Sequence, residues 1–137
     1  MPKVDEKILR ILDANLNRAK EALRVCEDIA RFILDEKKTT EQYKRIRHQV
    51  TEVFSTPRIA RLLKARDILR DVGKDSIPSE FRRKNAKDIF YANSQRAKES
   101  MRVLEEFGKL LDKKSGEQLK KTRYQIYELE RSVAEKL

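Results

Sequence analysis

The stretch "ANLNRAKEALRVCED" at residues 14–28 is repeated as "ANSQRAKESMRVLEE" at residues 92–106. Residues 11–35 align with residues 89–113 at a shift of 78, and ten of the aligned positions are identical. A helix that only has to bury one apolar face does not need to keep particular polar side chains. The polar positions that are identical in both copies are Asn15, Arg18, Lys20, Glu21, Arg24 and Glu27. The repeat therefore predicts a duplicated helix with a further reason to retain these side chains.

Apolar and small residues in each copy recur every three or four positions, which is typical of a helix with one buried face. In the first copy this seam runs through Ile8, Leu12, Asn15, Ala19, Ala22, Cys26, Ile29 and Ile33. In the second copy it runs through Ala86, Phe90, Asn93, Ala97, Ser100, Leu104, Phe107 and Leu111. Each helix is thus predicted to bury an asparagine within its seam. Cys26 corresponds to Leu104 and is predicted to be a core residue.

A second related segment follows each copy, "EQYKRIRHQVTEVF" from Glu41 and "EQLKKTRYQIYELE" from Glu117. The positions predicted to be buried in these segments are Tyr43, Ile46, Val50, Val53, Leu119, Thr122, Ile126, Leu129 and Val133. Each copy is therefore predicted to form a helical hairpin, a long helix with a shorter one packed back on it. Two related hairpins predict an all-α fold, a pseudo-symmetric helical bundle of two repeated hairpins plus a short linker helix.

The chain of 137 residues has the size of one domain. We expect a single helical domain over residues 1–137, with repeat one at about 5–54, a linker at about 55–78 and repeat two at about 79–135. Thr56 and Pro57 predict the start of the linker helix, and Gly73 its end. Its inward face is predicted to carry Ile59, Leu62, Leu63 and Leu69. The first helix of repeat two begins at Ser79 or nearer Asn85, and the sequence leaves this open.

Lys and Arg number 33 against 23 Asp and Glu, which gives a formal net charge of +10. This balance favours anionic partners, whether phosphorylated metabolites, nucleic acid or a membrane surface. No secretory signal and no apolar run of about 18 residues is present, so we expect a cytoplasmic protein without a membrane partner. The abundance of Lys and Glu resembles that of thermophile proteins.

The asparagines in the seams allow two interpretations. Each amide could fix the register of the bundle by bonding its partner helix or a water, as polar seam residues do in coiled coils. Alternatively, the two amides could hold the edge of a heterocycle, because Ala19, Ala22, Ala97 and Ser100 leave space in the same seams. Both interpretations account for a polar group that is costly to bury without a partner.

The arginines of the repeat are candidates for a phosphate-binding cluster, since a guanidinium group matches phosphate oxygens in pairs. Its predicted members are Arg18, Arg24, Arg96, Arg102, Arg47 and Arg123. The alternative is a solvated face of Glu–Arg pairs at helical spacing. Four acids could hold Mg²⁺ between the protein and phosphates, namely Glu27, Asp28, Glu105 and Glu106.

The linker region is basic but lacks interleaved aromatic residues, so nucleic acid is the least favoured of the anionic partners. Its cations are Arg58, Arg61, Lys64, Arg66, Arg70, Arg82, Arg83 and Lys84. The chain contains no glycine-rich nucleotide loop and no Cys/His metal pattern.

The segments "ILDANLNRAKEALRVCEDIARFIL", "LLKARDILRDVG", "SEFRR" and "YANSQRAKESMRVLEEFGKLL" together resemble a known family. It is the helical domain found in front of thiamine-phosphate synthase in some bacteria, which also occurs alone and is proposed to be an alternative phosphomethylpyrimidine kinase. The resemblance implies transfer of a phosphoryl group from ATP to hydroxymethylpyrimidine phosphate, with Mg²⁺. Ile68 stands where the fused proteins often have Thr, which weakens the expectation for the neighbouring Asp67, and the barrel of the synthase is absent.

Carried over position by position, the resemblance implies a site built from both repeats and the linker. In our mechanistic hypothesis Asn15 and Asn93 grip the aminopyrimidine. The other implied substrate-binding residues are Arg18, Glu21, Arg24, Arg96, Glu99, Arg102, Arg47, Arg123 and Arg82. The linker supplies Arg66, Asp67 and Asp71 as catalytic residues, and the family pattern also covers Ala65, Gly73 and Glu80. Glu27, Asp28, Glu105 and Glu106 are the implied metal ligands.

Two other functions stay open at this point. The chain could be a non-catalytic partner that binds the pyrimidine phosphate and hands it to thiamine-phosphate synthase. It could also be a nucleic-acid-binding bundle whose affinity falls steeply with salt. Pairing of two copies through an exposed helix face is compatible with either.

Overall fold

The computed structural model describes residues 4–54, 56–75 and 82–137. These residues form five α-helices and no strand, which confirms the predicted all-α fold class. The helices are α1 (Glu6–Asp28, continued by a π turn at Ile29–Ile33), α2 (Lys37–Val53), α3 (Thr56–Ala65), α4 (Ala86–Gly108) and α5 (Lys113–Ala134). None of them is both long enough and apolar enough to cross a lipid bilayer.

Short polar side chains stand immediately before three of the helices and accept a hydrogen bond from the first turn. Asp5 precedes α1, Asn85 precedes α4 and Asp112 precedes α5. Each supplies an acceptor to a backbone N–H that has no partner within the helix. The cap at Asn85 decides the open boundary, because α4 begins at Ala86. Ser79, the other candidate, lies outside the described residues.

The four long helices pack in a ring, with α1 against α2 and α4, and α5 against α4 and α2. Arg58, at the start of α3 and so close to the end of α2, bonds Asp112, which lies in the short connection from α4 to α5. Lys136, just after α5, bonds Glu36, just before α2. These contacts put the ends of α2 and α4 at one end of the bundle, and the end of α5 at the other. Consequently α1 and α4 run antiparallel, and the two hairpins are related by a pseudo-twofold axis across the bundle.

The predicted seams form most of the core. Cys26 is buried, and desolvation raises the pKa of its thiol to about 12, with a smaller contribution from the charge of Glu130. Glu130 on α5 also accepts a hydrogen bond from Ser94, near the start of α4. Cys26 near the end of α1 and Ser94 are therefore at one level of the bundle, as antiparallel packing requires.

The seam prediction is wrong at Ile33, whose side chain is 56% exposed. The π turn over Ile29–Ile33 places about one more residue in that turn than an α-helix does. A four-residue step from the buried Ile29 therefore no longer returns to the same face. Four other seam positions are only half-buried, namely Ile8, Ala86, Asn93 and Phe107. The predicted positions of α2 and α5 are all buried.

The linker helix is shorter than predicted, ending at Ala65 and not near Gly73. Only Leu62 of its four predicted inward residues is buried, and Leu69 is 83% exposed. Polar contacts follow the helix directly: the side chain of Arg66 bonds α1, and the carboxylate of Asp67 accepts the backbone N–H of Arg70. α3 itself lies against α1.

Candidate ligand cleft between the first and fourth helices

A cleft of about 480 Å³ opens between α1 and α4. Helix α1 lines it with Asn15, Arg18, Glu21, Ala22 and Val25, and α4 lines it with Asn93, Arg96, Glu99, Ser100 and Val103. Every lining residue of one repeat has its counterpart, at the shift of 78, among those of the other. The structure thus brings six of the predicted substrate-binding residues together in one pseudo-symmetric space.

The spacing of the repeated polar residues explains why only part of the pattern faces this cleft. A step of three residues advances 300° around an α-helix, so each such step falls about 60° short of a full turn. Asn15, Arg18 and Glu21 therefore share a sector of about 120°. Arg24 lies further round, and Glu27 is half a turn away from Arg18. The repeated pattern therefore has two halves. The cleft half is Asn15, Arg18 and Glu21, and the second half, Arg24 and Glu27, faces away from the cleft.

The two seam asparagines make the same local contact. Asn15 donates from Nδ2 to the carbonyl oxygen of Ile11 over 2.9 Å, and Asn93 donates to that of Ile89 over 2.8 Å. Because the acceptor is a carbonyl oxygen, the bonded atom of each amide is its nitrogen. Each amide keeps its oxygen and one N–H for another partner. The register interpretation expects each amide to bond its partner helix or a water. Within the described ranges neither amide bonds the neighbouring helix.

Antiparallel packing places Asn15 and Asn93 at opposite ends of the cleft. The cleft extends from Asn15 to Val25 on α1, and Asn93 lies opposite the Val25 end. Ten residues of helix rise correspond to roughly 15 Å between the two amides along the bundle axis. A single pyrimidine ring is too small to contact both, so the joint grip of one aminopyrimidine that we predicted does not fit this geometry.

The cleft carries two guanidinium groups that are open to a ligand. Arg18 and Arg96 are exposed, and no ion-pair partner for either is found in residues 4–54, 56–75 and 82–137. Glu99 accepts a hydrogen bond from Gln95 over 3.1 Å, and Glu21 is exposed. Arginine in a concave polar site suits a phosphate group, with two parallel N–H donors for two oxygens.

In each hairpin, the glutamate from the second half of the repeated pattern forms a buried ion pair with an arginine of the same hairpin. Glu27 lies 3.2 Å from both Arg24 and Arg47, and its side chain is only 3% exposed. In the other hairpin Glu105 lies 3.0 Å from Arg123, and these side chains are 5% and 8% exposed. Burial acts to lower the pKa of Arg123, but its bonds to Glu105 and Tyr127 outweigh burial and leave this pKa raised.

The predicted six-arginine cluster is therefore divided between these two settings. Only two of its members, Arg18 and Arg96, line the cleft. The other four accompany the buried glutamates of the hairpins, Arg24 and Arg47 beside Glu27, and Arg102 and Arg123 beside Glu105.

The four acids predicted to hold Mg²⁺ do not fit a shared metal site. Glu27 and Glu105 are bonded to arginines in different hairpins, and antiparallel packing sets them at opposite ends of the α1–α4 interface. Asp28 is exposed, and the Lys109 ammonium beside Glu106 lowers the pKa of that carboxyl. The described part of the chain contains no group of three or more His, Cys, Asp or Glu side chains that could hold a metal ion.

The linker residues that we predicted to be catalytic lie away from the cleft. Arg66 forms a two-pronged ion pair with Asp13, with both N–O distances at 2.8 Å. Asp13 is two positions before Asn15, or 200° around α1, so this contact is on another side of the helix. Asp67 pairs with Arg70, and Asp71 accepts the backbone N–H of Gly73. Arg82 is exposed and does not line the cleft, and Glu80 lies outside the described residues.

Three residues of interest were missed from the sequence. Val25 and Val103 supply apolar wall at the two ends of the cleft, and their identity in the alignment was a usable signal. Asp13 gave no such signal, because its counterpart in the second repeat is Tyr91. Its role depends on the path of the linker, which periodicity does not specify.

Comparison with known proteins places this geometry in context. Residues 10–132 match the ThiD2 family. The chain is similar to the thiamine-phosphate synthase of Nostoc sp., with 40% identity over 132 residues, which are 96% of this chain and 36% of that protein. Those of Synechocystis sp. and Rhodopirellula baltica are 40% and 38% identical over 90% and 88% of this chain, and over 35% and 32% of their own length. The chain thus spans about a third of the length of these curated relatives, and no solved structure matches it.

Proposed function

The chain belongs to the ThiD2 family, and from this premise we propose that it acts in thiamine biosynthesis as a phosphomethylpyrimidine kinase. The reaction is transfer of the γ-phosphoryl group of ATP to hydroxymethylpyrimidine phosphate, giving ADP and the pyrimidine diphosphate. The observation that carries the proposal is the cleft between α1 and α4. It presents amides and exposed guanidinium groups from both repeats in one space.

The chemistry of phosphoryl transfer suits such a cleft. This reaction depends mainly on in-line positioning and on neutralising phosphate charge, and requires little covalent participation by the protein. Arg18 and Arg96 would bind phosphate oxygens, and Asn15 and Asn93 would orient heterocycles. A cleft of about 480 Å³ falls within the range of small-molecule sites.

Mg²⁺, which the family resemblance implies, has a better donor set in this cleft than at the four acids first predicted. Glu21 and Glu99 are the carboxylates among the lining residues. One or two carboxylates together with substrate phosphates are the usual environment of protein-bound Mg²⁺. Bound there, the ion would offset the negative charge of the phosphates.

The test is to incubate the purified chain with ATP, Mg²⁺ and hydroxymethylpyrimidine phosphate and to follow the phosphorus NMR spectrum. We expect ADP and the pyrimidine diphosphate to appear in equal amounts. The double variant Arg18→Ala/Arg96→Ala should lose this activity while keeping its helical circular dichroism spectrum. The kinase proposal fails if the chain binds both substrates and forms neither product.

A second candidate function is a non-catalytic partner that binds the pyrimidine phosphate for thiamine-phosphate synthase. One observation favours it: the matching segment makes up 36% of the thiamine-phosphate synthase of Nostoc sp., so in that relative it shares a chain with the rest of the synthase. Its signature is pyrimidine phosphate binding without consumption of ATP. Addition of a thiamine-phosphate synthase should then raise the rate of thiamine phosphate formation at low pyrimidine concentration.

The nucleic-acid alternative has less support, because part of the basic linker is used within the fold. Arg58 bonds Asp112 and Ser115, and Arg66 bonds Asp13. If the chain nevertheless binds RNA or DNA, a plot of log affinity against log salt should have a steep negative slope.

A further inference from the structure

We propose that the two ends of the cleft are two separate half-sites for aminopyrimidine edges, one for the adenine of ATP and one for the pyrimidine phosphate. In this arrangement the two substrates lie end to end with their phosphates in the middle. The proposal rests on the proposed kinase function and assigns a place in the cleft to each substrate.

Both ends of the cleft offer the same chemistry. One end has Asn15 with Val103 opposite, and the other has Asn93 with Val25 opposite. Each amide has one N–H engaged by its own helix and retains an acceptor oxygen and a donor N–H. An asparagine amide pairs with an exocyclic amino group and the adjacent ring nitrogen. Adenine and an aminopyrimidine both present that edge, and the valine supplies an apolar surface for a ring.

The spacing along the cleft matches two ligands better than one. The amides are roughly 15 Å apart along the axis, which exceeds the reach of one ring. Arg18 and Arg96 each lie three residues inward from their asparagine, so roughly four residues of rise, or about 6 Å, separate them. Along the cleft the amides lie at the two ends and the guanidinium groups lie nearer the middle. Two ligands, each with a ring and a phosphate, need this arrangement if their phosphates are to meet.

The reaction balances in this arrangement without another reactant. An oxygen of the pyrimidine phosphate attacks the γ-phosphorus of ATP as the bond from that phosphorus to the β–γ bridging oxygen breaks. The bridging oxygen keeps the electron pair and leaves as part of ADP. The fully ionised reactants and products carry equal total charge, so no net proton is taken up or released.

Isothermal titration calorimetry of single asparagine variants tests the assignment by binding alone. We expect Asn15→Ala to weaken one ligand, either ADP or hydroxymethylpyrimidine phosphate, by about tenfold, and Asn93→Ala to weaken the other similarly. Each variant should bind its unaffected ligand within about twofold of the parent chain, and the parent chain should bind one of each ligand simultaneously. The variant that loses ADP affinity identifies the nucleotide end.

Asn17→Ala is the matched control. Asn17 also donates to the carbonyl oxygen four residues earlier, on Asp13, but it does not line the cleft. It should leave both affinities unchanged, and thermal unfolding of all three variants separates lost contacts from lost folding.

Competition between the two ligands would overturn the two-end assignment, as would loss of the same ligand in both asparagine variants. Binding of two pyrimidine phosphates with no ADP would also overturn it. If each asparagine variant loses affinity for a different ligand but the parent chain forms no product, the two half-sites are upheld and only the kinase activity is refuted.

Discussion

The two halves of one repeated sequence pattern do different work in this bundle. Asn15, Arg18 and Glu21, with their counterparts in α4, open onto a shared cleft. Glu27 and its counterpart Glu105 turn away from it and form buried ion pairs inside their hairpins. All of these residues recur at identical spacing, so recurrence alone does not identify a ligand-binding residue. The angular position on the helix separates residues available to a ligand from residues that hold two helices together.

The largest expected difference between the two halves is in stability. Glu105→Ala leaves Arg123 buried without its carboxylate, and removing one partner of a buried pair costs about 3–5 kcal/mol. Urea unfolding followed by circular dichroism measures this loss. Glu99→Ala, in the cleft half of the same helix, should cost no more than about 0.5 kcal/mol. Similar losses in both variants would remove the distinction drawn between the two halves.

Glu27→Ala should destabilise the chain less than Glu105→Ala, by about 1–3 kcal/mol. The reason lies in the arginines that are left behind. The side chain of Arg47 is 18% exposed, against 8% for Arg123, so it regains water more readily. Arg123 is also enclosed by the rings of Tyr124 and Tyr127, at 5.1 and 5.7 Å. If Glu27→Ala proves the more costly substitution in urea unfolding, exposure of the arginine is not what sets the cost.

The contact between Arg66 and Asp13 allows a third comparison, between two roles for Arg66: fastening the linker to α1, or taking part in catalysis. If Arg66 only fastens the linker to α1, Arg66→Ala and Asp13→Asn should each cost about 1–2 kcal/mol. The double variant should then lose little more than either single variant, because both remove the same interaction. Affinity for ADP and the pyrimidine phosphate should not change. A large loss of turnover in Arg66→Ala alone would instead support the catalytic role implied by the family resemblance.

The helices and their buried faces could be predicted from the sequence because they follow directly from periodicity. The seam through Leu12 and Ala19, and the hairpin pattern of two long helices each with a shorter one, needed no tertiary information. Ile33 could not be predicted, because a π turn shifts the register without a sequence signal that we recognised. The end of α3 at Ala65 was missed, and the residue that follows it, Arg66, contacts Asp13, which is distant in sequence.

The candidate site could be predicted only as a set of residues, and not as an arrangement. The repeat identified Asn15 and Arg18 with their counterparts, and the cleft contains all four. Whether Asn15 and Asn93 meet depends on the relative direction of α1 and α4, which a repeat does not specify. A parallel pair would have set the amides side by side, whereas the antiparallel pair separates them.

The smallest expected effect on stability among the ion pairs comes from one that is neither buried nor part of the cleft. Asp112 precedes α5 and is held by Arg58 and by the backbone N–H of Ser115, which together lower its pKa from 3.8 to about 2. A lowered pKa in the folded chain stabilises it above about pH 4. That contribution is lost as the pH falls from about 4 towards 2.

Asp112→Asn keeps a side-chain oxygen for the helix cap and removes the charge. It should cost less than about 1 kcal/mol at pH 7, because the side chain of Asp112 is 36% exposed. The free energy of unfolding should then fall less between pH 4 and 2 than in the parent chain, as measured by urea titrations at each pH. Asp5→Asn is the matched control, since Asp5 also caps a helix and has no arginine partner within the described ranges. Equal acid sensitivity of the parent chain and Asp112→Asn would show that the ion pair with Arg58 contributes nothing to stability in solution.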